Sequence, residues 1–533
     1  MPAVSEPAAA AAHRLSALSA LLQRRGQLAS RPLSAHAAAA DPLVAGVRYD
    51  SRQVEPGDLF VARRGQHTDG HQHVAAAVAA GAVAVVVERP LPGIGVPELV
   101  VRDAKISLGL AAAWRAGDPS RSLGIVGITG TDGKTTTAYL VRAVLEAAGH
   151  PAGLLGTTDV IVAGESRGNA ARTSTPEAPE LQAHLAAMRA AGDTWAVVES
   201  SSHGLAQFRV AGVAYDVAVL TNVTSEHLEF HGTLEAYRAA KRSLFARLAV
   251  GDDNPDKGWG KHAVVNADDP EGEAAASVAR AVGARVWRYG LVPAAGQRQR
   301  AELDLVAAAL EERPDGTRVT MRAGDWHGTL ALQLAGRFNV SNALAAMGVA
   351  AALGLDLDLA AHALGELEGV PGRMQRIDEG QPFRVVVDYA HTADALAKVL
   401  DELRPSDPAA GVIAVFGSAG DRDQSKREPM GRVAGERCRL VIVTDEDPRA
   451  EDRMTILEDI AAGVEAAGRR RGEDLLIVPD RREAIASAMQ LARPGDTVLL
   501  AGKGHEKTIE TAAGEVHWDE VAEARAALRK RRD

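Results

Sequence analysis

The chain has almost no cysteine, no long apolar run and no excess of positive charge. Cys438 is the single cysteine in 533 residues. One thiol can form neither an internal disulfide nor a cysteine-rich zinc site, which fits a reducing compartment, and a cytoplasmic location is expected. The Ala-rich first 40 residues are broken by Arg14, Arg24, Arg25 and Arg31, so no apolar core of a secretion signal forms. No stretch approaches the ~20 apolar residues of a membrane span, which argues against membrane insertion. Lys plus Arg number 60 against 70 Asp plus Glu, a net charge of −10. That balance disfavours nucleic acid as a partner but leaves room for a local basic pocket that takes an anionic small molecule.

The length predicts about three domains at roughly 150 residues each. Short Val/Ile/Leu runs alternate with Ala-rich helical segments, the pattern of α/β units around largely parallel sheets. The first block, 1–119, carries "VRYDSRQVEPGDLFVAR" and "GAVAVVVERP" around the loop "RGQHTDGHQH". The second, 120–367, opens on the strand "LGIVGIT" and includes "TWAVVES" and "DVAVLTNV". The third, 368–533, holds "FRVVVDYAH", "GVIAVFGSAGDRD", "RLVIVTDEDPR", "DLLIVPD" and "DTVLLAGKGHE". Most of these runs end in polar residues, and ligands of open α/β sheets sit beyond the carboxyl ends of the strands. Asp388, His391, Arg422, Asp445, Arg449, His505 and Glu506 are therefore expected along one sheet edge.

"GITGTDGKTTT", Gly127 to Thr137, looks like a phosphate-binding loop with an irregular spelling. A standard P-loop places a glycine where this chain has Ile128. The other parts are present. Gly130 and Gly133 let backbone N–H groups turn toward phosphate oxygens, and a helix follows from about Lys134. Lys134 supplies a point charge for the terminal phosphates of ATP, and Thr135 can place a hydroxyl on Mg²⁺. Further on, "VVESSSHG" ends a strand at Glu199 and "TNVTSEHLEFHG" ends another near His227. Each offers a metal-capable side chain at a strand end. Taken singly, His227 also reads as a surface histidine, and Lys241 in "AYRAAKRSLF" as a solvated lysine.

Together these pieces resemble the Mur ligases, the ATP-dependent amino-acid ligases of peptidoglycan synthesis, whose loop is spelled TGTxGKTT. "TGTDGKTT" matches it, so Ile128 is the family's form. Within the family the chain is similar to the UDP-N-acetylmuramoyl-tripeptide synthetase (MurE) type. The matches run from "DSR" and "GDLFVA" through "TSTPE", "ESSSHGLAQFRV", "GRFNVSNALAA", "VPGRM", "DYAHT", "GDRDQSKR" and "DEDPR" to "GKGHE". The resemblance implies a UDP-substrate domain, a central P-loop-like ATPase domain and a C-terminal Rossmann-like domain. It implies joining of UDP-MurNAc-L-Ala-D-Glu to a diamino acid with ATP, through an acyl phosphate, releasing ADP and phosphate.

It also implies roles. Gly130, Thr131, Asp132, Gly133, Lys134, Thr135 and Thr136 would hold the phosphates, with Asn339, Arg373 and Asp388 as further ATP contacts, although Phe338 replaces the family's histidine beside Asn339. Glu199, His227, Thr135 and Lys241 would serve up to two Mg²⁺ ions, Lys241 as a CO₂-derived carbamate (N6-carboxylysine). Lys134, Lys241, His227 and Glu199 form the expected catalytic set. Tyr49, Ser51, Gln66, His67, Thr68, Ser174, Thr175, Ser201, Gln207 and Arg209 would take the UDP-sugar peptide. Arg422, Glu446, Asp447, Pro448, Arg449, Gly502 and Glu506 would take the amino acid. Asp447 stands where diaminopimelate-adding relatives usually have Asn. Its extra charge is expected to repel a distal carboxylate and favour L-ornithine or L-lysine; the alternative is that Asp447 faces away and Arg449, a carboxylate clamp helped by Arg422, still selects meso-diaminopimelate. The partners are thus small molecules, and a monomer is expected. Folylpolyglutamate and cyanophycin synthetases share the loop but would lack "DSR…GDLFVA" with "ESSSHGLAQ". A non-catalytic nucleotide-binding protein would have lost Lys134, Glu199 or Lys241.

Overall fold

The computed structural model describes residues 13–29, 41–65, 68–167, 169, 173–224, 226–249, 257–291, 303–313, 316–334, 336–405 and 407–532. Contacts gather them into two units, one comprising 1–307, 322–328 and 341–360, the other 308–321, 329–340 and 361–533.

The first unit contains a two-stranded pairing of His13–Arg14 with Leu43–Val44 and two larger sheets. Val47–Arg48, Leu59–Val61, Ala84–Val87 and Glu98–Val100 form a parallel four-stranded sheet. Eight strands of the larger, eleven-stranded sheet run in the order Glu165–Ser166, Val160–Val162, Ala152–Leu155, Trp195–Glu199, Gly124–Thr129, Val217–Leu220, His262–Asn266 and Arg285–Leu291. Among these eight the first two pairings are antiparallel, and from Ala152–Leu155 to Arg285–Leu291 the neighbours are parallel. All residues of Gly124–Thr129 are buried. Helices on both faces leave such a strand no wet side, so its sequence is continuously apolar rather than alternating. Ile128 pairs with both Glu199 and Val219, so it is still inside the sheet. The chain turns only at Gly130, which is why the first glycine of the standard loop has no counterpart.

The second unit is built on the order Gln375–Ile377, Arg384–Asp388, Thr497–Ala501, Val412–Phe416, Leu440–Val443 and Leu475–Ile477. The first pair is antiparallel and the rest parallel. Leu396, Val399 and Leu400 bury one face of helix Ala393–Glu402 against it, and Thr392 caps that helix by accepting from Ala395 N. The expected α/β class with mostly parallel sheets is what the chain adopts. Among the described residues no helix is long and apolar enough to cross a membrane.

Candidate active site

The loop after Gly124–Thr129 is pinned from one side. Thr131 N donates to Asn222 O (2.7 Å), Asp132 N to Asn222 Oδ1 (3.0 Å) and Thr221 Oγ1 to Asp132 O (2.7 Å). Of the loop N–H groups expected to turn toward phosphate oxygens, those of Thr131 and Asp132 fasten the loop instead. The helical ladder of Lys134–Ala147 begins with Thr137 N to Gly133 O (2.8 Å), which puts the N–H groups of Lys134, Thr135 and Thr136 ahead of it. The helix's positive end and these groups make an anion site.

Both glycines are sterically required. A Cβ on Gly130 would lie 1.8 Å from Thr221 Oγ1, and one on Gly133, whose φ is +80°, would lie 2.4 Å from Asn342 Oδ1. Gly133→Ala is therefore expected to lower stability by about 1–3 kcal/mol and to weaken nucleotide binding. Thermal melting with and without ATP checks this; an unchanged ATP-induced shift would contradict it.

Two lysines converge on this loop. Lys134 Nζ donates to Gly130 O (3.0 Å) and Thr131 O (2.7 Å). Lys241, on helix Leu234–Ala246, also donates to Gly130 O, with its Nζ 4.4 Å from the centre of the Tyr237 ring. Lys241 is 2% exposed. Burial, then the charge of Lys134, push its pKa well below that of an ordinary lysine; Glu226 and Asp132 oppose the shift.

These lysines line a cavity of about 300 Å³ together with Thr173, Ser174, Thr175, Ser201, Ser202, His203, Arg209, Glu226, His227 and Tyr237. The structure thus brings Lys134, Lys241, His227, Ser174, Thr175, Ser201 and Arg209 to one place. Glu199, fully buried, reaches the cavity wall through Thr157: its Oε1 accepts from Thr157 N (3.0 Å) and its Oε2 from Thr157 Oγ1 (2.9 Å), while Thr157 Oγ1 meets Ser174 Oγ at 2.7 Å. Among the described residues no three His, Cys, Asp or Glu side chains are gathered as a metal cluster.

Sequence reasoning passed over several neighbours. Glu226 lies 3.6 Å from His227 Nε2. His203 packs edge-on against His227, with ring centres 4.6 Å apart, and burial first, then His227 and His231, hold its pKa down at about 4. Arg209 NH1 donates to Thr175 O (2.8 Å), and its NH2 pairs with Glu177 (2.9 Å) and bonds Gln207 Oε1 (3.0 Å). Glu177 also pairs with Arg63 (2.8 Å), whose guanidinium lies 4.4 Å over the Tyr49 ring. Tyr49 OH donates to Glu180 (3.1 Å). Ser51 opens a short 3-10 turn capped by Asp50, and Thr68 O accepts from Gly65 N (2.8 Å). Gln66 and His67 lie outside the described residues. His203, Glu177 and Glu226 all stand inside motifs already noticed; their spacing alone gave no sign of what they touch.

The second unit holds the remaining positions. Asn339 is buried on the first turn of helix Arg337–Leu353. Arg373 stacks 4.8 Å over Tyr389, and Asp388 accepts from Met374 N and Ala390 N, both at 2.8 Å. Arg422 is exposed. His391 meets Tyr389 O at 2.8 Å. Burial raises the pKa of Asp445, which pairs with Arg453.

Asp447 needs correction. It is not an uncompensated charge: the fully buried Lys503 sits 2.8 Å from it and also contacts Glu506. Asp447 accepts from Glu510 N as well (2.9 Å). Arg449, at φ +55°, pairs with Glu510 at 2.9 Å. Glu446, 7% exposed, keeps a buried Oε2 with no hydrogen-bond partner, next to Gly502.

Comparison with known proteins gives this arrangement its setting. Three models of one family match in chain order: "Mur ligase family, catalytic domain" over 43–106, "Mur ligase middle domain" over 128–350 and "Mur ligase, glutamate ligase domain" over 372–504. A UDP-N-acetylmuramyl-tripeptide synthetase of Roseiflexus sp. (strain RS-1) is 49% identical over 93% of this chain and 96% of its own. This chain belongs to the Mur ligase family. It is an ATP-dependent acid–amino-acid ligase of the MurE type. The ligase is also 41% identical, over 92% of its length and 94% of the relative's, to a UDP-N-acetylmuramoyl-L-alanyl-D-glutamate–2,6-diaminopimelate ligase of Gloeobacter violaceus. A solved structure of a ligase with that same name is 32% identical, with a TM-score of 0.63, covering 92% of this chain and 96% of that one.

Proposed function

We propose that this Mur ligase adds a diamino acid to UDP-MurNAc-L-Ala-D-Glu, that the residue added is L-ornithine or L-lysine, and that the reaction runs through an acyl phosphate in the cytoplasm. The observation that carries the acceptor assignment is the charge arrangement in the second unit. Arg449, the natural clamp for a distal carboxylate, already has the Glu510 carboxylate 2.9 Å from its Nε, as an ion pair without hydrogen-bond geometry. The buried Oε2 of Glu446 lacks a partner. A side chain ending in an ammonium would satisfy Glu446 without a second anion beside Glu510, whereas meso-diaminopimelate would bring a carboxylate next to Glu446 and Glu510; Asp447 and Glu506, both held by Lys503, do not enter the comparison. The sequence argument from Asp447 alone gives way to this one.

The cavity suits an anionic substrate. Lys134, the start of helix Lys134–Ala147 and Arg209 bring positive charge to the cavity lining. Phosphoryl transfer needs little else than positioning and charge stabilisation. The dipeptide carboxylate takes the terminal phosphoryl of ATP, and the amine of the acceptor then displaces phosphate from the acyl carbon. Thr135, Glu199 and His227 are the residues that would hold Mg²⁺, whose charge would offset the repulsion between carboxylate and triphosphate. Lys241 suits carbamylation: burial and the neighbouring Lys134 favour its neutral amine, the form that reacts with CO₂, and the resulting anion would offset the charge of Lys134 beside Gly130 O. We assign domains to 1–119, 120–367 and 368–533, supported by the gaps between the matched family segments, and read the molecule as a monomer.

Supplying purified enzyme, ATP, Mg²⁺ and the UDP-dipeptide with ornithine, lysine or meso-diaminopimelate in parallel tests the acceptor. Phosphate release at least tenfold faster with ornithine or lysine is expected; preference for meso-diaminopimelate would sink the assignment.

A further inference from the structure

The Arg481 side chain is fully buried, and neither the motifs nor the proposed chemistry use it. It starts helix Arg481–Leu491. Its Nε and NH2 grip Glu520, which is also fully buried, at 2.6–3.1 Å. The rest of the fork points elsewhere: NH1 donates to Asp445 O (3.0 Å) and NH2 to Ala501 O (2.8 Å). Glu520 Oε2 in turn accepts from Trp518 Nε1 (2.6 Å).

Ala501 O ends the strand Thr497–Ala501 and Asp445 O lies two residues beyond the strand Leu440–Val443, and these strands do not pair. Leu440–Val443 and Thr497–Ala501 lie on opposite sides of Val412–Phe416. Arg481 therefore bridges across the end of the central strand, at the point where both flanking strands leave the sheet. Beyond that bridge the two loops meet residue by residue. One step on, Glu446 Oε2 would be 3.1 Å from a Cβ on Gly502. Two steps on, Asp447 pairs with Lys503 at 2.8 Å. Arg449 follows on one loop and Glu506 on the other. A guanidinium is suited to this task, because its planar fork serves a carboxylate and two carbonyls at once, which one ammonium cannot do.

We propose that Arg481, held by Glu520, is a positioning residue for the acceptor amino acid: it sets the spacing and register of the Glu446–Arg449 and Gly502–Glu506 loops. This rests on the reading that these loops take the diamino acid. It touches no substrate itself, so its effect falls on the KM of one substrate rather than on chemistry.

The test uses the full-length enzyme. Removing one member of a buried ion pair strands the other charge, so the variant is Arg481→Met with Glu520→Gln, which leaves no unpaired charge and keeps an oxygen for Trp518. The control is Arg482→Met with Glu523→Gln, an ion pair between the same two helices that is largely exposed on the arginine side. For the Arg481 variant the KM for the diamino acid should rise at least tenfold, with the KM for ATP and for UDP-dipeptide within twofold of wild type. The control should change none of the three. Arg481→Lys, which keeps the charge, should raise the same KM and serves if the double variant does not fold. An unchanged diamino-acid KM in a folded Arg481 variant, or an equal rise in all three, overturns the proposal. If wild-type enzyme turns over none of the three diamino acids, it is the acceptor reading that fails.

Discussion

Replacing Lys134 with methionine should lower kcat/KM about 10³-fold while leaving the fold intact. In the structure its ammonium is held by two carbonyls of its own loop, Gly130 O and Thr131 O. The loop does not depend on those bonds, because Asn222 and Thr221 fasten it independently. A single neutral hydrogen bond contributes about 1 kcal/mol, so the melting temperature should move by only a few degrees. The loss in turnover is larger because charge aimed at a developing phosphoryl transition state acts where water is excluded; one such donor is worth about 10²–10³-fold, and a cation lies at the upper end or beyond. Steady-state phosphate release beside a melting curve checks both halves. Turnover within tenfold of wild type would remove Lys134 from the catalytic set.

Lys241→Ala should be nearly as damaging, at least ~10²-fold in kcat, and its cause can be separated from that of Lys134. The side chain is buried and close to Lys134, and both features favour the neutral amine. As a carbamate it would present an anion to a metal, so short carboxylic acids added to Lys241→Ala should restore part of the activity by occupying the vacated space. The wild-type enzyme should slow when CO₂ is stripped from the buffer and recover with bicarbonate at neutral pH, where an ordinary lysine would be protonated and unreactive. If Lys241 works as a plain cation, carboxylates give no rescue and CO₂ has no effect.

The parts of the site that were legible in the sequence are those whose chemistry is local. Gly-Lys-Thr between an apolar strand and an amphipathic helix places phosphate-binding groups within a few residues of one another, and "TGTDGKTT" turned out to begin as soon as the strand releases the chain at Gly130. The alternation of apolar runs and helices likewise carried the parallel sheets. What could not be read was which side chains meet across the sheet edge. Asn222 fastens the loop from about 90 residues away, Tyr237 from further still, and Asn342 blocks any side chain on Gly133. Asp447 shows the cost of reading a charge without its neighbour. The residue type was right for attracting an ammonium, but the ammonium it attracts is Lys503. Glu446, expected only as one of several amino-acid-site residues in "DEDPR", is the one left holding the unpartnered oxygen.

The most direct test of the central claim is to follow ADP and the UDP-MurNAc product together, with each substrate omitted in turn. The account predicts one ADP for each new peptide bond, and negligible steady ADP release unless ATP, UDP-MurNAc-L-Ala-D-Glu and a diamino acid are all present. ADP release that ignores the UDP-dipeptide, or a dipeptide left unextended by every diamino acid while ATP is consumed, would contradict it.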